Sequence, residues 1–349
     1  MQALLSQLLR DSDSNTLWIA DENSKALLNG GLGFAGLLIS NRWDIAQAAE
    51  AHGIRSHFGD FDLATMQATY SRIVYPVSKE KAAVHHVINR AADLLQEGGE
   101  LFLLGEKSSG IKTYAQKAAQ CFGCGKQLKK HGNDYLSISS LQAQSEHHSL
   151  DDSDYTQLRQ LDTVGGLYSK PGLFGWNKID TGSAILACHF ADYLPNTPLN
   201  DLPADELRVV DLGCGYGYLS CRLAEIAGNP VQLSIRATDN NPAAMLACQK
   251  NFELREIEGR VIPGDAGSEI ESGSADLVIC NPPFHQGFQV EGDLTDRFLT
   301  QAARILRTRG TALFVVNEFI PLGKKAQGLF QQVDMLNKEK GFCVYRLTK

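Results

Sequence analysis

Leu207-Arg-Val-Val-Asp211-Leu-Gly213-Cys-Gly215-Tyr-Gly217 is the stretch on which the fold of this chain turns. A short β-branched run ends in an acid and then breaks into three glycines at alternate positions. Ser220 to Ala227, directly beyond, has helical character. The pattern is strand, tight turn, helix, and the glycines let the backbone turn sharply and approach a ligand closely. Working outward, the same alternation continues. Val231 to Asp239 reads as a second strand and Pro242 to Phe252 as a helix with Pro at its start. Val261-Ile262 is a short third strand, Ala275 to Cys280 a fourth, Asp293 to Leu306 a helix, and Thr311 to Val316 a fifth strand entered through Gly310. Strands alternating with helices predict an α/β domain with a parallel, doubly wound sheet of Rossmann-like type. Phe330 to Met335 and Phe342 to Leu347, joined by a short polar turn, predict a closing hairpin. It brings the sheet to seven mixed strands, with a terminal antiparallel strand.

The first half echoes this order. Leu17-Trp-Ile-Ala-Asp21 matches the strand ending in Asp211, and Leu37-Leu-Ile39 with the helix Ile45 to His52 matches the unit around Asp239. Gly59-Asp60 matches Gly264-Asp265, Ile73-Val-Tyr75-Pro76 matches Ile279-Cys-Asn281-Pro282, and Gly99 to Glu106 matches Thr311 to Glu318. The five matches keep their order, which predicts an internal duplication: two tandem domains of one fold. After Asp21, however, no glycine turn follows, and Tyr75-Pro76-Val77 stands where the second half has Asn281-Pro282-Pro283-Phe284. The expected organisation is a degenerate domain over 1–145 without a cofactor site, an acidic polar linker over 146–160, and a catalytic domain over 161–349.

Composition narrows the class. At 349 residues, two domains are expected, each long enough to bury a core. No apolar run approaches the roughly 18 residues of a membrane span, and the N-terminus reads as a short amphipathic helix rather than a signal peptide. A cytoplasmic protein without membrane attachment is expected. The eight cysteines are scattered, several inside apolar runs, as reduced core thiols would be. Cys121-Phe-Gly-Cys124 has no second ligand pair, so no metal is expected. The formal net charge is −7, yet Lys126 to His131, Arg304 to Arg309 and Lys324-Lys325 form local basic clusters able to meet phosphates.

Four elements fall at successive strand tips. Asp211 precedes the glycine turn, where a carboxylate repels a pyrophosphate but suits a cationic amino-acid group. Asp239 can accept both hydroxyls of a ribose, although an acid leading into Asn240-Asn241-Pro242 also suits a helix start. Asp265 follows the third strand, at the depth of an adenine amino group. Asn281-Pro282-Pro283-Phe284 supplies an amide, a carbonyl with no following N–H, a rigid turn and a flat ring. Such a set suits a planar group carrying an NH2, with the ring stacked on its face.

Together these residues resemble class I S-adenosylmethionine-dependent methyltransferases. Leu167 to Ser183, Asn281 to Gly287, Asn317-Glu-Phe-Ile-Pro321, Lys340 to Arg346 and Glu106-Lys-Ser-Ser-Gly110 extend the resemblance to the ribosomal RNA small subunit methyltransferase C family. The resemblance implies methyl transfer from S-adenosyl-L-methionine to the N2 amino group of a guanine in 16S ribosomal RNA, within the 30S subunit, by a monomer. It assigns cofactor binding to Asp211, Gly213, Gly215, Gly217, Asp239, Asp265 and Asn281. Catalysis falls to Asn281, Pro282 and Phe284, and substrate contact to Phe284, His285, Asp180 and Lys178. The sister large subunit methyltransferase G, acting on 23S RNA, shares the architecture. A protein glutamine N5-methyltransferase and a non-catalytic RNA-binding assembly factor are the other readings. A DNA adenine methyltransferase is disfavoured, because the chain shows no recognition domain for duplex sequence.

Overall fold

In the computed structural model the described residues are 1–21, 24–63, 66, 69–142, 148–194, 206–228, 232–283 and 287–349, with the backbone alone for 287–293. The chain divides into two compact units, Met1–Gln157 and Leu158–Lys349.

The first unit holds strands β1 (Thr16–Ala20), β2 (Leu37–Ser40), β3 (Arg55–Phe58), β4 (Tyr70–Pro76), β5 (Leu95–Glu106), β6 (Gln127–His131) and β7 (Asp134–Ser140). They form one seven-stranded sheet in the order β3-β2-β1-β4-β5-β7-β6. All neighbours are parallel except β7, which runs antiparallel to both β5 and β6. Every residue of β1 is buried, as a central parallel strand covered on both faces requires. Leu17 and Ile19 face a core with helices α4 (Lys81–Leu94) and α5 (Ile111–Cys121). Trp18 and Ala20, on the alternate face, pack with α1 (Gln2–Arg10), α2 (Lys25–Asn29) and α3 (Trp43–Ala51). The β6–β7 hairpin is absent from the sequence reading. Its edge strand, Gln-Leu-Lys-Lys-His, is mostly exposed and carries lysines instead of an apolar alternation, a composition that also discourages further edge pairing.

The chain divides at Gln157, inside the stretch read as a linker. Residues 148–157 of that stretch belong to the first unit: Leu150 exchanges two hydrogen bonds with the Asn89 amide, at 2.8 and 2.9 Å. Tyr155 is 2% exposed within the first unit's core.

The second unit begins with a hairpin, β8 (Arg159–Leu161) and β9 (Leu167–Ser169), followed by α6 (Thr181–Ala187). The sheet strands are β10 (Leu207–Leu212), β11 (Leu233–Asp239), β12 (Gly259–Pro263), β13 (Ala275–Cys280), β14 (Leu306–Asn317), β15 (Gln332–Glu339) and β16 (Phe342–Thr348). Helices α7 (Tyr218–Ala227), α8 (Pro242–Leu254), α9 (Gly287–Ile305) and α10 (Leu322–Ala326) are interspersed. The order β12-β11-β10-β13-β14-β16-β15 repeats that of the first unit element for element. β16 is antiparallel to β14 and β15. The duplication inferred from five short matches is therefore a duplication of topology.

Local chemistry explains the elements. Pro242 opens α8, and the Asn241 side-chain oxygen caps it by accepting from Ala243 N–H at 2.9 Å. All six residues of β13 are buried, in keeping with an aliphatic central strand. No described helix is long and apolar enough to cross a membrane. No group of three or more metal-ligating side chains occurs among the described residues.

Candidate active site

Open parallel sheets leave a crevice at the carboxyl ends of their strands, where the strand order reverses. In the second unit the reversal falls between β10 and β13. Leu212 and Cys280 are register partners, so Gly213 and Asn281 leave neighbouring strand tips.

Gly213, Gly215 and Gly217 have φ of 73°, 53° and 83°, where a Cβ is costly. Gly217 is also required sterically, because a Cβ there would lie 2.8 Å from the Cys248 sulfur. At Gly215 a Cβ would meet nothing within 4 Å, so the main chain there opens on free space. Asn251, to which the sequence reading gave no part, clamps this turn. Its amide donates to the Tyr216 and Tyr168 carbonyls at 2.7 and 2.9 Å and accepts from Tyr168 N–H at 2.6 Å.

Asp211 lies beneath the turn, wholly buried. Its Oδ2 accepts from the Ser220 N–H at 3.2 Å and the Ser220 hydroxyl at 2.6 Å. Its Oδ1 has no hydrogen-bond partner among the described residues. Burial pushes its pKa up to about 7, against the pull of the Ser220 bonds. Asp239, half-buried, uses one carboxylate oxygen to accept from Gly215 N–H and the other from Asn241 N–H, each at 2.9 Å. It thus fastens the glycine turn to the tip of β11. Asp265, beyond β12, is ion-paired with Arg297 of α9. That partner, a full helix away in sequence, left no local signal.

Asn281 is held by its nitrogen. Nδ2 donates to Asp180 Oδ2 and to Ser183 Oγ, both at 2.8 Å. Asp180 is the N-cap of α6, and the same Oδ2 accepts from Ser183 N–H at 2.8 Å. Both amide protons are consumed, so Oδ1 is directed the other way, buried and without a partner among the described residues. Asp180 and Asn281 were singled out separately from the sequence; the fold brings them together. Ser183 was missed, although an Asp followed three residues later by Ser is a legible cap. Pro282 is buried behind Asn281. Lys178 is exposed, with its main-chain N–H on the Gly175 carbonyl at 3.2 Å, and is not brought to the amide. Phe284 and His285 lie outside the described residues.

The buried thiols near the turn are not nucleophiles. Burial raises Cys248 and Cys280 and pushes Cys221 up to about 12, while the Cys248 contact and burial raise Cys214. All four stay protonated at neutral pH.

At the equivalent strand tips of the first unit the space is filled with rings. Tyr75, at the place of Asn281, is wholly buried against Phe61. Asp60, at the place of Asp265, accepts a 3.0 Å hydrogen bond from the Tyr155 hydroxyl, and the Tyr155 ring lies 5.2 Å from that of His86.

A glycine turn over a buried acid, a carboxylate at the next strand tip and an oriented Asn-Pro-Pro amide gather where the strand order reverses. Residues 165–346 match the family described as methyltransferase small domain, and 35–160 match its companion, methyltransferase small domain N-terminal. The chain belongs to the methyltransferase small domain family. More particularly, it is similar to proteins described as ribosomal RNA small subunit methyltransferase C. It is 29% identical to that of Erwinia tasmaniensis over 85% of this chain and 81% of the relative. It is 27% identical to that of Shewanella oneidensis over 93% of this chain and 91% of the relative. Among solved structures, the T. thermophilus 16S rRNA N2 methyltransferase (RsmC) in complex with AdoMet and guanosine superposes with a TM-score of 0.80. It is 20% identical, and the match covers 100% of this chain and 91% of that one. At that identity the likeness is one of fold.

Proposed function

We propose that this chain transfers a methyl group from S-adenosylmethionine to the N2 amino group of a guanine in 16S ribosomal RNA. The observation that carries this reading is Asn281. Its Nδ2 is tied down by Asp180 and Ser183, leaving a buried Oδ1 without a partner among the described residues, on the strand tip next to the one that leads into the glycine turn.

The residues present fit the cofactor. Free space beside Gly215 admits a ligand to the main chain. Asp211 Oδ1, without a hydrogen-bond partner among the described residues, favours a cationic amino-acid group nearby, and Asp239 stands at the adjoining strand tip as the acid for a ribose. When bound, the cofactor supplies an electrophilic methyl group on a sulfonium. The chain's own residues act on the base. Asn281 Oδ1 accepts one N2–H and a neighbouring main-chain carbonyl the other, which turns the nitrogen lone pair toward the methyl group; the proton that N2 must shed on gaining the methyl group leaves to solvent. Guanine N2 is a poor nucleophile because that lone pair is delocalised, so orientation supplies most of the rate. A base inside a helix must first leave its stack. Arg297 beside Asp265 balances the charge of that acid at the crevice edge.

We assign the substrate to the small ribosomal subunit on the strength of the relatives' descriptions, and keep the expectation of a cytoplasmic single chain working without metal as part of the proposal. The first unit holds no cofactor: Tyr155, Tyr75 and Phe61 occupy its strand tips. Labelled methyl transfer tested in parallel on free ribosomal RNA, 30S and 50S particles, naked DNA and a release factor decides the acceptor. Label appearing in 23S RNA, DNA or protein instead of 16S RNA overturns the reading. Two cofactors bound per chain would overturn the assignment of the first unit.

A further inference from the structure

β13 and β14 are adjacent and parallel, with Cys280 opposite Phe314, so the chain beyond β14 emerges on the same rim as Asn281. Asn317, the last residue of β14, pairs with Phe342 at the start of β16. Phe342 abuts Gly182 of α6, the helix whose cap holds Asn281. On this rim the turn Asn317-Glu-Phe319-Ile-Pro321 is built rigidly. Phe319 N–H donates to Asn317 Oδ1 at 3.2 Å, and Ile320 N–H donates to the Asn317 carbonyl at 2.9 Å. Glu318 N–H donates to the Gly341 carbonyl at 2.8 Å, and the Glu318 carboxylate pairs with Lys338 at 3.1 Å. Ile320 packs into the core. The Phe319 ring, between these anchors, is 78% exposed, more than any other large hydrophobic side chain among the described residues.

Single exposed apolar side chains are ordinary, but the backbone that carries this one is pinned by hydrogen bonds, and lysines lie on the two segments next to it in the fold. Lys340, in the β15–β16 turn that receives the Glu318 bond, and Lys324, in the last turn of α10, are both exposed. Neither makes an ion pair among the described residues. An exposed aromatic ring on a pinned turn, with exposed lysines that make no ion pair among the described residues on neighbouring segments, in a chain whose net charge is −7, is an arrangement suited to single-stranded nucleic acid: bases stack on the ring and phosphates meet the cations.

We infer that Phe319 is a stacking platform for a nucleotide flanking the target guanine, with Lys340 and Lys324 contacting the adjoining phosphates. This deepens the proposed function and rests on it for the identity of the RNA. The test titrates labelled single-stranded RNA of about ten nucleotides with a central guanine into full-length wild type, Phe319→Ala, Phe319→Trp and Lys340→Ala, with calorimetry of S-adenosylmethionine on each. Phe319→Ala is expected to weaken RNA binding about 5- to 100-fold, and Phe319→Trp to stay within about twofold of wild type. Cofactor affinity should be unchanged in both. Lys340→Ala should lower the salt dependence of RNA binding by about one phosphate contact, whereas Phe319→Ala should leave it as it was. RNA affinity unchanged in Phe319→Ala, or RNA and cofactor affinity lost together, overturns the inference, as does a wild type that does not bind the RNA. A wild type that binds the RNA but methylates no guanine in any ribosomal RNA overturns the proposed function instead and leaves the platform standing.

Discussion

Asp180 Oδ2 accepts from Asn281 Nδ2 at 2.8 Å across 101 residues of sequence, and from Ser183 N–H at the same distance. One oxygen therefore starts a helix and sets the orientation of an amide. An asparagine amide can be turned over at little steric cost, which would present two donors where the acceptor base needs an acceptor. The cap prevents this.

Asp180→Ala is accordingly expected to lower kcat by about 100-fold through misorientation of Asn281, with cofactor affinity little changed. Asp180→Asn, which keeps a capping oxygen, should recover most of the rate. Removal of the cap also costs about 1 kcal/mol of stability. Steady-state kinetics and thermal melts of the two variants separate the effects; equal kcat for Ala and Asn would refute the orienting role.

Asp239→Ala removes the acceptor proposed for the ribose and the bonds to Gly215 and Asn241 N–H. Hydrogen bonds to a charged group contribute about 1.5–3 kcal/mol each, so calorimetry should show S-adenosylmethionine binding at least about tenfold weaker. Unchanged affinity would reject the assignment.

The Asp211 carboxyl gives a pH dependence. Its folded pKa is raised from 3.8 to about 7, so the folded state holds this proton more tightly than the unfolded chain. Its contribution to stability is therefore full below about pH 4 and is lost as pH rises to about 7, at a cost of order 4 kcal/mol above that. Asp211→Asn should raise the melting temperature at pH 8 more than at pH 5. A melting shift independent of pH would contradict this.

In the first unit, Tyr155→Phe leaves a buried Asp60 oxygen without its phenolic donor, an expected loss of about 1–3 kcal/mol. Tyr155→Ala also opens a cavity, for about 3–5 kcal/mol. Neither should alter cofactor affinity, measured by calorimetry on the folded variants. A change there would mean that the first unit takes part in cofactor binding.

Sequence alone carried most of the fold because its signals are local. Aliphatic runs, glycine turns and Pro242 at a helix start each act within a few residues, and their order dictates a doubly wound sheet. The edge pair β6–β7 escaped because an exposed edge needs no apolar pattern. The site was half legible. The turn from Gly213 to Gly217, Asp239 and Asn281 are marked by residue type at strand ends. Ser220, which holds Asp211, Arg297, which pairs with Asp265, and Asn251, which clamps the turn, carry no such mark. What only the tertiary structure decided is direction: which face of the Asn281 amide is free, that Asp211 is sealed against Ser220, and that Tyr155 fills the first unit's strand tips. Each depends on groups far apart in the chain meeting within hydrogen-bond distance, and no local pattern encodes that.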